Sequence, residues 1–143
     1  MFYGEYEHTV DEKKRLTLPA RFRDELAGGV VLSRGIERNI DVYPRASWEA
    51  TMARVAELDS LSREGRAMKR YVFTGATPVD LDKQGRVLIP ANLAAHAGIE
   101  KDVVLAGVQD HLEIWDSNEW ATHFKAIEGS AGDVAERLAD KRG

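Results

Sequence analysis

Cysteine is missing from this chain, which excludes disulfide scaffolds and thiolate metal centres and suits a reducing compartment. Long apolar runs are missing too: nothing approaches the roughly 20 residues of a membrane span. The start, "MFYGEYEHTV", carries two glutamates and no apolar stretch of signal-peptide length. These absences give the expectation of a cytoplasmic protein with no membrane partner. There is no excess of positive charge either, since 20 Lys and Arg face 24 Asp and Glu for a net charge of -4. A protein that coats nucleic acid by bulk attraction is therefore excluded, and any anion-binding surface must be local. The balance is uneven, with 13 basic against 12 acidic residues in positions 1–70 and 7 against 12 in positions 71–143.

Catalytic signatures are also lacking. His8, His96, His111 and His123 are scattered without H-E-x-x-H spacing and read as surface or edge residues, so no metal site is expected. No G-x-S-x-G, P-loop or G-x-G-x-x-G occurs, and "LAGG" at 26–29 reads as a helix stop rather than a phosphate cradle. An enzyme, a cofactor and a small-molecule substrate are not expected. With 143 residues, 43% of them apolar, the chain can bury one compact core.

What the chain does have is a repeat. "DEKKRLTLPARF" at 11–22 returns as "DKQGRVLIPANL" at 82–93, an offset of 71 that is half the chain. The same offset aligns Phe2 with Phe73 and Gly4 with Gly75. With small loop insertions, Val30-Val31-Leu32 meets Val103-Val104-Leu105, and Trp48 meets Trp120. We read two copies, 1–71 and 72–143, with no Gly/Ser or Pro-rich linker between them, hence one intertwined unit.

Each copy reads as an extended segment, the motif, a strand closed by proline, a short helix, two β segments and further helices. "RLTLP" and "RVLIP" are the strands. "ARFRDELAGG" is expected to form a helix with Phe22 and Leu26 on one face and Gly28 as its stop. "GVVLSRG" with "NIDVYP", and "DVVLAGV" with "HLEIWD", are strand pairs. Trp48, Met52 and Val55 predict an amphipathic helix, repeated by Trp120, Phe124 and Ile127, with Asp116 and Glu119 as a capping box. In "SLSREGRAMKRYVF", Leu61, Met68 and Val72 are expected on one helix face. Arg63, Arg66 and Arg70, with Lys69, line another that reads as solvated. Its counterpart "SAGDVAERLADKRG" is expected to fray.

Within the motif, Gly85 supplies the positive φ of a tight turn, and Asp82 can bond backbone amides or pair with Arg86. Seen once, this is a hairpin with a local ion pair. Seen twice, with arginine kept directly before the strand, it presents Arg15 and Arg86 as candidates for guanine N7 and O6 in a DNA major groove, each contact worth about 1–3 kcal/mol of discrimination. Lys13, Lys14 and Lys83 would then meet phosphates.

Both halves resemble the repeated module of the MraZ family of bacterial transcriptional regulators. The resemblance rests on Asp11-Glu12-Lys13-Lys14-Arg15 with Leu18-Pro19-Ala20-Arg21-Phe22-Arg23, and on Asp82-Lys83-Gln84-Gly85-Arg86 with Ile89-Pro90-Ala91. It implies a mainly β, α+β fold: an AbrB-like swapped-hairpin, double-split β-barrel made from both copies and capped by helices, with subunits closed into a homo-oligomeric ring. It further implies a nucleoid-associated DNA-binding protein that recognises short repeated boxes in the promoter of the division and cell-wall gene cluster, including its own. Arg15, Arg86, Lys13, Lys14, Lys83 and Arg21 are the DNA-binding candidates, with Asp11, Asp82 and Gly85 shaping the turns. One departure stands out, because the family's first motif usually has glycine where Lys14 stands. The alternative is an antitoxin-like or scaffold module that holds a partner protein on the same fold, with the arginines as turn staples.

Overall fold

A computed structural model describes residues 1–142; Gly143, the end of the expected second copy, lies outside the described residues. Eight strands form two sheets. In the first half these are β1 (Glu5–Thr9), β2 (Arg15–Thr17), β3 (Val30–Arg34) and β4 (Ile40–Pro44), and in the second β5 (Thr77–Val79), β6 (Arg86–Leu88), β7 (Asp102–Gly107) and β8 (Leu112–Asp116). Six build an antiparallel sheet in the order β1-β7-β8-β4-β3-β5, and β2 pairs with β6 as a separate ribbon. The halves exchange strands, since β1 of the first lies on β7 of the second and β5 of the second lies on β3 of the first. This is the mainly β, α+β swapped-hairpin fold that the family resemblance implies.

Alternation explains why the ribbon sits where it does. Leu16 and Val87 face each other across it, both fully buried, and the residues beyond each strand, Leu18 and Ile89, are buried with them. They join Phe22, Leu26, Val30, Leu32, Ile40, Val42, Leu93, Val103, Leu105, Leu112 and Ile114 in one core beneath the large sheet. Each such side chain contributes about 1.5–3 kcal/mol through burial. Because the side-chain period of a strand is two, Arg15, Thr17, Arg86 and Leu88 must share the opposite, outward face.

The helices depart from expectation in four places. In the first copy only a single 3₁₀ turn, Ala20–Phe22, follows Pro19. The chain then bends at Gly29, with φ +98, and not at Gly28. The second copy does form a helix there, α4 (Ala91–Ala97), stopped by Gly98 in the left-handed conformation. The Trp48 segment splits at Met52 into α1 (Trp48–Thr51) and α2 (Ala53–Ala56); Met52 is buried against Tyr43 and Val72 all the same. α3 (Arg63–Thr74) starts at Ser62, whose hydroxyl accepts from the Gly65 amide. Leu61 therefore lies outside the helix and is 90% exposed rather than sharing the face of Met68 and Val72.

The fourth departure is the C-terminal segment, which continues one helix, α5 (Ser117–Arg142), instead of fraying. Asp116 caps it by accepting from the Asn118 and Glu119 amides. The Glu119 carboxylate turns to Arg38 at 2.9 Å rather than closing the capping box. Gly129 and Gly132 lie in open space along it. Among the described residues, no helix is long and apolar enough to cross a membrane.

Candidate nucleic-acid interface

The two motif turns are near-copies in atomic detail. In the first, the Lys14 amide donates to the Asp11 carbonyl at 3.0 Å and the Asp11 amide to the Arg15 carbonyl at 3.0 Å; in the second, the same bonds join Gly85 to Asp82 and Asp82 to Arg86, each at 2.9 Å. Asp11 Oδ1 accepts from the Lys13 and Arg15 amides, and Asp82 Oδ1 from those of Gln84 and Arg86. The second carboxylate oxygen of each takes the guanidinium Nε at 2.8 Å. The Arg15 backbone amide, with its guanidinium, holds Asp11 below the usual carboxylate range, and Arg86 does the same for Asp82.

Each aspartate therefore fixes the turn and aims the arginine. With Nε held, the terminal nitrogens of Arg15 and Arg86 make no hydrogen bond among the described residues, and the side chains remain 33% and 25% exposed. Arg15 lies opposite Leu88 and Arg86 opposite Thr17. The arginines thus occupy diagonal positions about 7–8 Å apart on one face. Leu88, 56% exposed, stands opposite Arg15 and two residues along the strand from Arg86, an apolar point beside both arginines.

Lys14 has φ +64 and Gly85 φ +75, so the lysine adopts the left-handed backbone that glycine takes in the other copy. Their carbonyls are equivalent as well: Lys14 accepts from the Ile89 amide at 2.8 Å and Gly85 from the Leu18 amide at 2.9 Å. Lys14 Nζ approaches the Glu100 carbonyl at 3.5 Å. Lys13 and Lys83 are exposed on their turns.

Arg21 is placed elsewhere. Its guanidinium donates to the Tyr6 and Tyr3 hydroxyls at 3.1 and 2.7 Å and lies 4.8 Å from the Tyr3 ring centroid, which ties it to β1 rather than to the ribbon. The arginine that reaches a motif turn is Arg23, whose Nε would lie 2.5 Å from a Cβ added at Gly85. Sequence spacing gave no reason to choose it over Arg21. On α3, Arg66 donates to the Ser60 carbonyl and Lys69 to the Ser60 hydroxyl, so two members of the basic face are engaged by the preceding loop.

One histidine is more enclosed than the surface or edge position expected of it. His111 is only 13% exposed, stacked on Tyr43 with ring centroids 4.6 Å apart. Its Nδ1 lies 2.6 Å from Asp110, and its Nε2 lies 3.6 Å from both Asp41 and Glu113. Asp41 on β4 and Glu113 on β8 are direct cross-strand partners between the two halves. Burial works to lower the His111 pKa, but the nearby Glu113 carboxylate, the hydrogen bond to Asp110 and the Asp41 charge carry it up to about 9. Burial pushes Asp41 up to about 6. Burial also acts to raise Glu113, yet the nearby His111 imidazole and the hydrogen bond from the Trp115 indole hold it below its usual value. Asp41, His111 and Glu113 place ligand atoms within 4.8 Å of one another and are the group with metal-ligand spacing among the described residues. With its pKa raised, a protonated His111 would offset the repulsion between Asp41 and Glu113 across the seam.

The family model described as "MraZ protein, putative antitoxin-like" matches residues 1–71 and again 72–142. The chain belongs to the MraZ family. It is 44% identical over 142 residues to the protein named transcriptional regulator MraZ of Roseiflexus castenholzii, covering 99% of each chain. It is also 44% identical over 135 residues to the protein of that name from Limosilactobacillus fermentum, covering 94% of each, and 40% identical over 139 residues to that of Acetivibrio thermocellus, covering 97% of each. MraZ-family membership thus follows from both halves, in step with the doubled turn geometry.

Proposed function

We propose that the chain is a sequence-specific DNA-binding transcriptional regulator that lays the β2–β6 ribbon into a major groove. A two-stranded β-ribbon is the right width for that groove. The observation that carries the reading is the pair of aspartate-buttressed arginines on one outward face, because a guanidinium held at Nε offers its terminal fork to guanine O6 and N7 at little ordering cost. Their separation of about 7–8 Å corresponds to about two base-pair steps of roughly 3.4 Å, so each ribbon would read two guanines at that spacing. Thr17 and Leu88 would contact thymine methyls, and Lys13, Lys14 and Lys83 would meet phosphates. The names carried by the relatives support a regulatory role.

The two copies, 1–71 and 72–143, would act as one DNA-binding unit in the cytoplasm, at the nucleoid. One ribbon gives few base contacts on a chain of net charge -4, so useful affinity would come from several subunits of a closed ring engaging repeated promoter boxes together. The family resemblance points to boxes upstream of the division and cell-wall genes, including this protein's own. An exposed apolar series on α5, Phe124, Ile127, Val134 and Leu138, is spaced to meet a second copy. The test is a gel shift on DNA immediately upstream of the gene, with competition by the same and by scrambled duplex. Equal competition by both would overturn the base-reading role.

A further inference from the structure

The two copies differ at two aligned positions that meet in space. Lys14 aligns with Gly85, and Arg23 aligns with Ala94. Since strands are exchanged between the halves, each turn is covered by the segment after the other copy's proline. Gly85 is buried, and what covers it is the Arg23 guanidinium: a Cβ there would stand 2.5 Å from Nε and 2.8 Å from Cζ. Around the first turn, the place that Arg23 takes in the second belongs to Ala94. Lys14 and Ala94 line a common open groove of about 550 Å³, with Lys13, Ile89 and Ile99. Glycine goes with arginine, and lysine goes with alanine. Each turn therefore carries one cation at its fourth position, delivered once from within the turn and once from across the fold.

We infer that Lys14 and Arg23 are functional counterparts, each seating one DNA backbone phosphodiester at opposite ends of the β2–β6 ribbon. The inference rests on the major-groove reading and adds a contact residue, Arg23, that motif alignment does not place at a turn. Arg23 Nε donates to the Leu18 carbonyl at 3.3 Å, and its terminal nitrogens make no hydrogen bond among the described residues. Leu18, the residue whose amide binds the Gly85 carbonyl, lies four residue steps along the chain from Lys14. At about 3.4 Å per residue the two turns lie about 14 Å apart, close to the roughly 12 Å width of the major groove. The two cations thus stand where opposite groove walls would lie. The pairing also explains how a lysine is accommodated in a left-handed turn: its side chain has the room that Ala94 leaves.

The experiment transplants one turn into the other. Affinity for promoter and scrambled duplex is measured from 50 to 200 mM salt for the wild type, Lys14→Gly, Arg23→Ala, and the double variant Lys14→Gly with Ala94→Arg, alongside thermal melts. Each single variant is expected to flatten the slope of log affinity against log salt by about 0.9 per engaged subunit, on both duplexes. The double variant is expected to restore the slope. Should Ala94→Arg fail to fold, the reciprocal transplant, Arg23→Ala with Gly85→Lys, decides the question, with the same restoration expected. A purely structural Arg23 would shift the melt and leave the slope untouched, and that result overturns the proposal while the base-reading role stands. Unchanged slopes in both single variants, or no restoration in a folded transplant, overturn it as well. Loss of promoter preference in the wild type would instead remove the major-groove reading beneath it.

Discussion

His111→Gln should abolish one segment of this protein's pH-stability profile. The imidazole has an ordinary pKa near 6.5 when exposed and about 9 in the fold, where Asp41, Asp110 and Glu113 surround it. Because the folded value is raised, the stabilisation is fully present below pH 6.5, declines as the unfolded chain loses its proton, and is gone above pH 9. A shift of that size sets a ceiling of about 3 kcal/mol, and residual solvent contact makes about 1–2 kcal/mol the expected loss. Asp41 acts in the same direction at lower pH, since its pKa is raised to about 6 and its protonation favours the fold until pH rises through that value. Glu113, held low, acts oppositely, stabilising above its ordinary pKa and losing that effect as pH falls through its folded value. Urea titrations at fixed protein concentration, from pH 5.5 to 9.5, should show wild-type stability falling between pH 6.5 and 9. His111→Gln should be flat across that window and less stable below it. Parallel profiles for the two proteins would refute this role of His111.

Other perturbations follow from the same geometry. Lys14→Gly relieves a left-handed lysine, worth roughly 1–2 kcal/mol, against about 0.4–1 kcal/mol of added unfolded-state freedom; a small rise in denaturation midpoint with weaker DNA binding is expected. Leu16→Ala removes a fully buried side chain between ribbon and sheet and should cost about 2–5 kcal/mol by chemical denaturation. Asp11→Ala should reduce discrimination between cognate and scrambled duplex less than Arg15→Ala does, because it frees the guanidinium without removing it. Ile127→Glu combined with Leu138→Glu should lower the oligomer mass in light scattering and weaken binding to a multi-box promoter more than to a single box.

The repeat made most of the fold legible. Alternation in "RLTLP" and the apolar run of "RVLIP" marked these two segments as strands, and the missing linker between the copies suggested an intertwined unit. The turn at Lys14 was legible too, because only a left-handed residue satisfies the geometry Gly85 sets. Four things were not. The break at Met52 leaves the apolar face intact, so periodicity could not reveal it. The length of α5 comes from a strong cap at Asp116 and good helix formers, which outweigh its few buried contacts. His111 looked like an isolated surface or edge histidine because its three acidic partners lie on a neighbouring residue, on the strand that follows and across the β4–β8 pairing. Arg23 was not legible because "RFR" offers two arginines and spacing cannot say which crosses to the other copy. The signal that singles out Arg23 lies in the paired exchange of Lys14 for Gly85 and Arg23 for Ala94.

The central claim is that the arginines of the ribbon read bases, and the most direct measurement compares affinity for the upstream promoter and for scrambled duplex in the wild type and in Arg15→Ala with Arg86→Ala. Circular dichroism and light scattering accompany it to show that fold and assembly persist. With each good arginine–guanine contact worth about 1–3 kcal/mol, the double variant should lose most of its preference for the promoter while retaining weak, salt-sensitive binding to both duplexes. A folded, correctly assembled double variant that still preferred the promoter as strongly as the wild type would contradict the account.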